Sequence, residues 1–270
     1  MQLDWQEIAG NWVLIPPRQV AIVHFLGGAF VATAPHITYR LLLEHLAEQG
    51  YAVVATPFVN TLDHRAIAQQ VLESFDRTLT EMQSRNLLRK RYLPIYGLGH
   101  SMGCKLHLLI GSLFPVDRAG NILVSFNNYA ARDAIPLVEQ FSAARDAIPL
   151  MNQFSSSFSV EFTPSPIETT QIIAKDYQVR RNLLVQFNND TIDQTKALSQ
   201  LLSERFPGMV TFQQLVGNHL TPLGQDVMRW KPGASFTPLD AIGQWMKQEV
   251  YRDLNQLKRS ILLWLNPFAS

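Results

Sequence analysis

Short apolar segments rich in β-branched residues alternate with longer segments of helical periodicity along most of this chain, and this alternation restricts the possible folds more than any other feature. Strands that alternate with helices in this way form a mostly parallel sheet with helices on both faces. The sequence therefore predicts an α/β fold, with ligands bound where the carboxyl ends of the strands open. We predict strands over 20–25, 51–58, 92–98, 122–126, 183–187 and 210–216, and helices over 38–49, 63–84, 102–113, 193–206 and 239–257.

The alternation is interrupted between the strands at 122–126 and 183–187. This stretch contains a tandem repeat, in which AARDAIPLVEQFS over 130–142 is followed by AARDAIPLMNQFS over 143–155. Two copies of so short a unit cannot stack into a repeat array, and the apolar residues of each copy suit one short amphipathic helix. We predict a single domain over 1–270 with a helical cap, or lid, inserted over 128–180.

The segment Gly99-His100-Ser101-Met102-Gly103 matches the pattern G-x-S-x-G and lies directly between a predicted strand and a predicted helix. This strand–turn–helix setting is the one required of a nucleophile elbow, a sharp turn that exposes a serine hydroxyl. The glycines leave room for close backbone approach, and the N-terminus of the helix favours developing negative charge. An ordinary glycine-rich turn is the alternative interpretation.

With this motif in this position, the chain resembles the α/β-hydrolase superfamily from about residue 13 to residue 250. The resemblance implies the α/β-hydrolase fold and catalytic residues in the order serine, acid, histidine. It implies Ser101 as the nucleophile and, in the loop after the last predicted strand, His219 as its base. It implies Asp190 as the acid after the strand 183–187, with Asp193 as a reserve acid or as the N-cap of the next helix. Such a serine needs the imidazole to take its proton, and the imidazole needs the carboxylate.

Acyl transfer also requires hydrogen-bond donors for the oxyanion of the tetrahedral intermediate. The backbone N–H of Met102, directly after the serine, is the first candidate. The second lies in the sequence HFLGGAF after the strand 20–25, which resembles the superfamily's His-Gly motif but has Phe25 where glycine is usual. We therefore expect the Leu26 backbone N–H as the second donor, with Gly27 and Gly28 forming the exit from the strand.

Four segments, HFLGGAF, GHSMGCK, SFNNY and GNHLTPL, are together similar to an uncharacterised family of photosynthetic organisms, domain of unknown function 1350. This likeness covers nearly the whole chain. It implies the fold and a cytoplasmic or plastid-like setting, and it implies no substrate.

Charge and composition narrow the classes of partner. The formal net charge of +1 at pH 7 argues against nucleic-acid binding. The N-terminus lacks the features of a signal peptide, and no stretch is apolar enough to span a membrane. We therefore expect a cytoplasmic protein. Residues 258–268 are predicted to form a helix packed on the body of the protein, with a peripheral membrane contact as the alternative.

The sequence predicts a serine hydrolase that forms an acyl-enzyme from an ester or thioester, with a small acyl or lipid-like substrate. An acyltransferase would use the same residues, and a non-catalytic binding or scaffold protein would use none of them. We expect neither a cofactor nor a metal ion, because the chain has no phosphate loop, dinucleotide motif or metal-ligand spacing. The single cysteine, Cys104, rules out an intrachain disulfide. The sequence leaves the oligomeric state open.

Overall fold

The computed structural model describes residues 3–29, 31–131, 161–223 and 249–266. Its strands are β1 (Gln6–Ile8), β2 (Asn11–Leu14), β3 (Ala21–Leu26), β4 (Tyr51–Ala55), β5 (Ile95–His100), β6 (Gly120–Val124), β7 (Asn182–Phe187) and β8 (Val210–Leu215). Its helices are α1 (Pro35–Thr38), α2 (Arg40–Glu48), α3 (His64–Ser84), α4 (Met102–Leu113), α5 (Pro166–Asp176), α6 (Thr195–Arg205) and α7 (Glu249–Leu265).

The described strands form one eight-stranded sheet in the order β1-β2-β4-β3-β5-β6-β7-β8. The pairs β1–β2 and β2–β4 are antiparallel, and every other neighbouring pair is parallel. The predicted mostly parallel α/β fold is therefore confirmed. The six predicted strands and the first four predicted helices are present, with boundaries within three residues of those expected.

Alternate residues of the strands pack on opposite faces of the sheet. In β3, Val23 and Phe25 join the apolar cluster that contains side chains of α2 and α7, whereas Ile22 packs with Phe75 of α3. Helices α4, α5 and α6 cover the same face as α3, farther along the sheet. This arrangement buries both faces, which explains why the parallel strands are almost uninterrupted apolar runs.

Four features differ from the sequence prediction or add to it. The hairpin of β1 and β2 and the short helix α1 were not predicted. Helix α5 lies within the predicted cap but packs against α4 through Ile173, so residues 166–176 belong to the body of the fold. The helices predicted over 239–257 and 258–268 are continuous, because α7 runs without a break to Leu265, and it packs on the body with Leu257 and Ile261 in the core. Residues 239–248 of the predicted helix lie outside the described residues, as do residues 132–160 of the predicted cap.

The strand order places the serine motif at a special point of the sheet. The chain runs from β3 to β4 on one side and returns to β5 on the other side of β3. Crevices form at such reversals of strand order, outside the carboxyl ends of the strands. Ser101 directly follows β5 and so lies beside this reversal. Within the described ranges, no helix is long and apolar enough to cross a membrane.

Candidate active site

Ser101 occupies a strained turn between β5 and α4. Its backbone has φ 55° and ψ −119°, a conformation that costs a non-glycine residue about 1–3 kcal/mol. The turn also needs its two glycines. A Cβ at Gly99 would lie 2.6 Å from the backbone nitrogen of Cys104, and a Cβ at Gly103 would overlap with the carbonyl oxygen of Leu26. The backbone geometry is therefore that of a nucleophile elbow.

The Ser101 hydroxyl is nearly buried but does not cap α4, so it remains free for other contacts. Its Oγ accepts a hydrogen bond from Asn127 Nδ2 at 3.0 Å. Asn127 belongs to the loop after β6, which is fixed on both sides: Phe126 N–H donates to Thr195 Oγ1 at 2.9 Å, and Asn128 N–H donates to Gln194 Oε1 at 2.7 Å. An amide donor is thus held in place beside the hydroxyl.

The structure brings together Asp190 and His219, which come from the loops after β7 and β8. His219 Nδ1 lies 2.8 Å from Asp190 Oδ2, and the Asp190 side chain has no exposed surface. Burial raises the pKa of the Asp190 carboxyl, but the hydrogen bond and charge interaction with His219 outweigh burial and leave that pKa below its usual value. Asp190 is therefore a carboxylate at neutral pH, so Nδ1 of His219 donates the hydrogen bond to it.

Backbone-directed hydrogen bonds hold these two loops against each other. Asn188 Oδ1 accepts from the N–H of Gly217 at 3.1 Å, and the N–H of Asn189 donates to the carbonyl of Gly217 at 3.0 Å. Within the second loop, the N–H of Asn218 donates to Thr221 Oγ1 at 2.9 Å. The Asp190–His219 pair therefore rests on a fixed frame on both sides.

A chain of hydrogen bonds connects the loop after β3 with the elbow and with the histidine loop. Gly28 N–H donates to the Tyr39 hydroxyl at 2.8 Å, and that hydroxyl lies 2.8 Å from His100 Nδ1. His100 Nε2 lies 2.9 Å from the backbone carbonyl of His219. Because a carbonyl only accepts, Nε2 carries the proton and Nδ1 accepts from Tyr39. Burial, and next the neighbouring His219, lower the pKa of His100 to about 3, so its ring stays neutral.

The two predicted backbone donors lie on either side of the elbow. Met102 is the first residue of α4, and the first N–H groups of a helix have no acceptor within the helix. Leu26 is the last residue of β3 and pairs with Gly99, and its carbonyl packs against Gly103. The N–H of Gly28 is already bound by Tyr39 and is not free for an oxyanion. Gly27 packs against the Tyr39 ring.

Two other groups near the site have different local roles. Asp193 accepts hydrogen bonds from Thr195 N at 2.6 Å and Thr195 Oγ1 at 3.0 Å, so it binds the first residue of α6, but the N-cap is Gln194 and not Asp193 as predicted. Burial raises the pKa of Asp193 to about 6. Cys104 Sγ contacts the carbonyls of Gly99 and Val124, and burial raises the pKa of its thiol well above the usual value. Cys104 is therefore a protonated residue inside the fold.

Sequence reasoning missed two members of this arrangement. The contact of Asn127 with Ser101 was not expected from the sequence. Tyr39 was not singled out at all, because it lies 61 positions from its partner His100. The glycine pair at Gly27 and Gly28 was the one available signal, since a tight strand exit leaves room for a large side chain from elsewhere.

Comparison with solved structures identifies the fold. A monoglyceride lipase from Saccharomyces cerevisiae matches with a TM-score of 0.59 at 14% identity, covering 98% of this chain and 95% of the lipase. The fluorophosphonate-binding serine hydrolase F of Staphylococcus aureus matches with a TM-score of 0.57 at 15% identity, covering 95% and 92%. Carboxyl esterase 2 from Tuber melanosporum matches with a TM-score of 0.56 at 17% identity, covering 94% and 87%. The protein therefore has the α/β-hydrolase fold.

Sequence comparison identifies the family. No curated protein sequence is significantly similar to this chain. The family model described as "Protein of unknown function (DUF1350)" matches residues 4–267, which is nearly the whole chain. The likeness suggested by the four sequence segments is thereby confirmed, and the chain belongs to the DUF1350 family.

Proposed function

We propose that this protein is a serine hydrolase that cleaves an ester or thioester through an acyl-enzyme on Ser101. One observation carries the proposal: a serine stands in a strained elbow, and the residue before it contacts a histidine that is hydrogen-bonded to a buried carboxylate. The ring of His219 is 4.9 Å from the ring of His100, the residue before the serine. A binding protein would have no need for both the strained serine and the buried Asp190–His219 pair.

In the proposed reaction, Ser101 Oγ attacks the carbonyl carbon of the substrate while its proton passes to Nε2 of His219. The two electrons of the carbonyl π bond move to its oxygen and form the oxyanion. The intermediate then expels the alcohol or thiol, which takes the proton from His219. Water repeats the sequence on the acyl-enzyme and releases the carboxylic acid. Asp190 holds the imidazole in the required tautomer and stabilises its protonated form.

Two donors are placed to stabilise the oxyanion. The first is the N–H of Met102, at the positive end of the α4 dipole. The second is the side-chain amide of Asn127, which already lies 3.0 Å from Ser101 Oγ. Loss of one such donor lowers kcat by about a hundredfold to a thousandfold in serine proteases. Leu26 remains the backbone candidate proposed from the sequence.

The size of the substrate is proposed from the cap and from the similar structures. A lipase, an esterase and a fluorophosphonate-binding hydrolase share the fold, which favours a small acyl substrate over a polymer. The cap was predicted over 128–180, but its residues 166–176 form helix α5 of the body, so we propose that only the part before α5 selects among acyl groups. A cytoplasmic location remains our proposal from the sequence.

The test is covalent labelling with a fluorophosphonate probe, followed by mass spectrometry of the peptide that contains Ser101. We expect one adduct on wild-type protein and none on Ser101→Ala. Ser112→Ala is the matched control, because it removes a serine hydroxyl from the same helix where that hydroxyl only bonds the carbonyl of Leu108. Equal labelling of wild type and Ser101→Ala would refute the assignment. Absence of labelling and of ester hydrolysis in wild type would favour a binding role.

A further inference from the structure

Two basic side chains near the elbow are buried without hydrogen-bond partners. Lys105 of α4 is 2% exposed and His64 of α3 is 4% exposed. The Nζ atom of Lys105 and both ring nitrogens of His64 have no hydrogen-bond partner among the described residues. Buried polar groups are nearly always satisfied, and a buried ammonium is costly to leave unpaired. Two neighbouring residues of this kind therefore indicate a functional role.

The ring of Phe162 brings the two residues together. It stacks on the His64 ring with centroids 4.2 Å apart, and Lys105 Nζ lies 5.5 Å from the centroid of the Phe162 ring. The backbone of Thr163 fixes this position, because its N–H donates to the carbonyl of Leu62 and its carbonyl accepts from the N–H of Arg65. The cluster of Lys105, His64 and Phe162 is thus held in a defined position by the fold.

This cluster lies on the same side of the sheet as the elbow. Lys105 is the fourth residue of α4, and Ser101 directly precedes that helix, so their backbones lie about one helical turn, or about 6 Å, apart. Helical side chains lean towards the N-terminus, and in α4 that direction leads back to Ser101. His64 begins α3, which follows β4, so it too lies at the carboxyl ends of the strands.

Glu161, whose charge acts on Lys105, does not accept a hydrogen bond from its ammonium group. Glu161 Oε1 instead accepts hydrogen bonds from the N–H groups of Ala131 and Phe162, at 2.9 and 2.8 Å. Burial lowers the pKa of Lys105 to about 8, and the charge of Glu161 opposes that shift. Lys105 is therefore mostly cationic at neutral pH, and a ring nitrogen of neutral His64 can donate a second hydrogen bond.

We propose that Lys105 and His64 form a subsite for the distal carboxylate of an acyl substrate that is a half ester or half thioester of a dicarboxylic acid. This inference rests on the proposed function at Ser101 and adds the class of acyl group. The separation of only four residues between Ser101 and Lys105 favours a short-chain acid. The carboxylate supplies the negative charge and the acceptors that the two unpartnered side chains lack.

The first experiment compares matched substrates on the wild-type protein. The p-nitrophenyl half esters of glutarate, adipate and suberate are measured against the p-nitrophenyl esters of pentanoate, hexanoate and octanoate. The rate measured with Ser101→Ala gives the spontaneous hydrolysis and is subtracted from the rate of the wild-type protein. We expect kcat/KM to be about tenfold or more higher for the best half ester than for its neutral match, the usual effect of a hydrogen bond to a charged group. An equal or lower kcat/KM for every half ester would overturn the subsite.

The second experiment assigns the preference to Lys105. In Lys105→Met the ratio of kcat/KM for charged over neutral ester should fall about tenfold or more, whereas Lys105→Arg should retain most of it. Lys175→Met, the same change at an exposed position of α5, should leave the ratio as in wild type. A ratio that persists in Lys105→Met would exclude Lys105. If Lys105→Met does not fold, the wild-type ratio and that of Lys105→Arg decide.

A failure of the proposed function can be told apart from a failure of the subsite. If the neutral esters are cleaved and the half esters are not preferred, the hydrolase stands and the subsite is wrong. If no ester is cleaved, the subsite is tested by binding, with adipate alone as the probe. Adipate should then raise the melting temperature of wild type more than that of Lys105→Met, and an equal shift would refute the subsite.

Discussion

Mild acid should unfold this protein, because four buried histidines are held neutral in the native state. These are His24, His64, His100 and His107, none more than 4% exposed. Burial is the main cause that lowers the pKa of each: to about 3 for three of them, and well below the usual value for His24. Neighbouring Arg118 adds to the effect at His24 and His107, and Lys105 adds to it at His64.

The direction and the size of the effect follow from linkage. An unfolded histidine takes up a proton near pH 6.5, whereas these four in the folded protein do not, so stability present above pH 6.5 is lost as the pH falls. At pH 5.5 each loses about 1.4 kcal/mol, or about 6 kcal/mol together. Asp193 acts in the opposite direction, because its raised pKa makes the folded state bind a proton at a higher pH than the unfolded state does. This uptake stabilises the folded state by less than about 1 kcal/mol at pH 5.5.

The net loss of about 5 kcal/mol is comparable to the whole stability of many domains. Urea unfolding followed by far-UV circular dichroism at pH 7.5, 6.5 and 5.5 measures it. We expect the midpoint to fall by about 2 M between pH 7.5 and 5.5, taking a slope near 3 kcal/mol per molar. His107→Gln should shrink the fall by about a quarter. A midpoint independent of pH over this range would show that these histidines are not buried neutral groups.

Three substitutions test the site itself. Asp190→Asn should lower kcat for ester hydrolysis by about a thousandfold or more, with little change in melting temperature. Asp193→Asn should keep most of the activity. The reverse result would make Asp193 the acid. Tyr39→Phe leaves the Gly28 N–H and His100 Nδ1 without their partner, so we expect a loss of about 1–3 kcal/mol in urea unfolding together with a lower kcat; unchanged stability would show that these bonds contribute nothing. Gly103→Ala should abolish soluble folded protein or activity, because its Cβ overlaps with the carbonyl of Leu26, and a fully active variant would disprove the close packing of the elbow.

The elements and the serine motif were predictable because their signals are local. Buried parallel strands appear as continuous apolar runs, as at 183–187, and the helix after the motif begins and ends at Met102 and Leu113 as predicted. The pairing of Asp190 with His219 could also be expected, since parallel neighbouring strands bring the loops at their carboxyl ends together. Chain order and strand adjacency were sufficient there.

The remaining features depend on contacts that leave no local pattern. The β1–β2 hairpin turns at Ala9 and Gly10, where Ala9 has φ 49°. Alanine does not predict a turn of this kind. Tyr39 looks like one more apolar position before α2, and only the folded sheet brings its hydroxyl to His100. Lys105 in a helix reads as a surface residue, since lysine is almost never buried, yet it is nearly inaccessible.

The distribution of charge around Ser101 explains why an amide stands at the end of β6. Some α/β-hydrolases place their acid after this strand, but here a carboxylate at position 127 would lie within hydrogen-bond distance of the serine oxygen. In the proposed reaction, negative charge develops on the substrate bound to that oxygen, and an anion beside it would raise the energy of the transition state. The Asn127 amide instead presents N–H groups to the reacting centre. The negative charge lies instead at Asp190, one strand farther along, where in the proposed reaction it would stabilise the imidazolium through Nδ1 of His219. In the proposed reaction, donors would therefore face the oxyanion and the carboxylate would face the cation, which is the arrangement that lowers the barrier for acyl transfer.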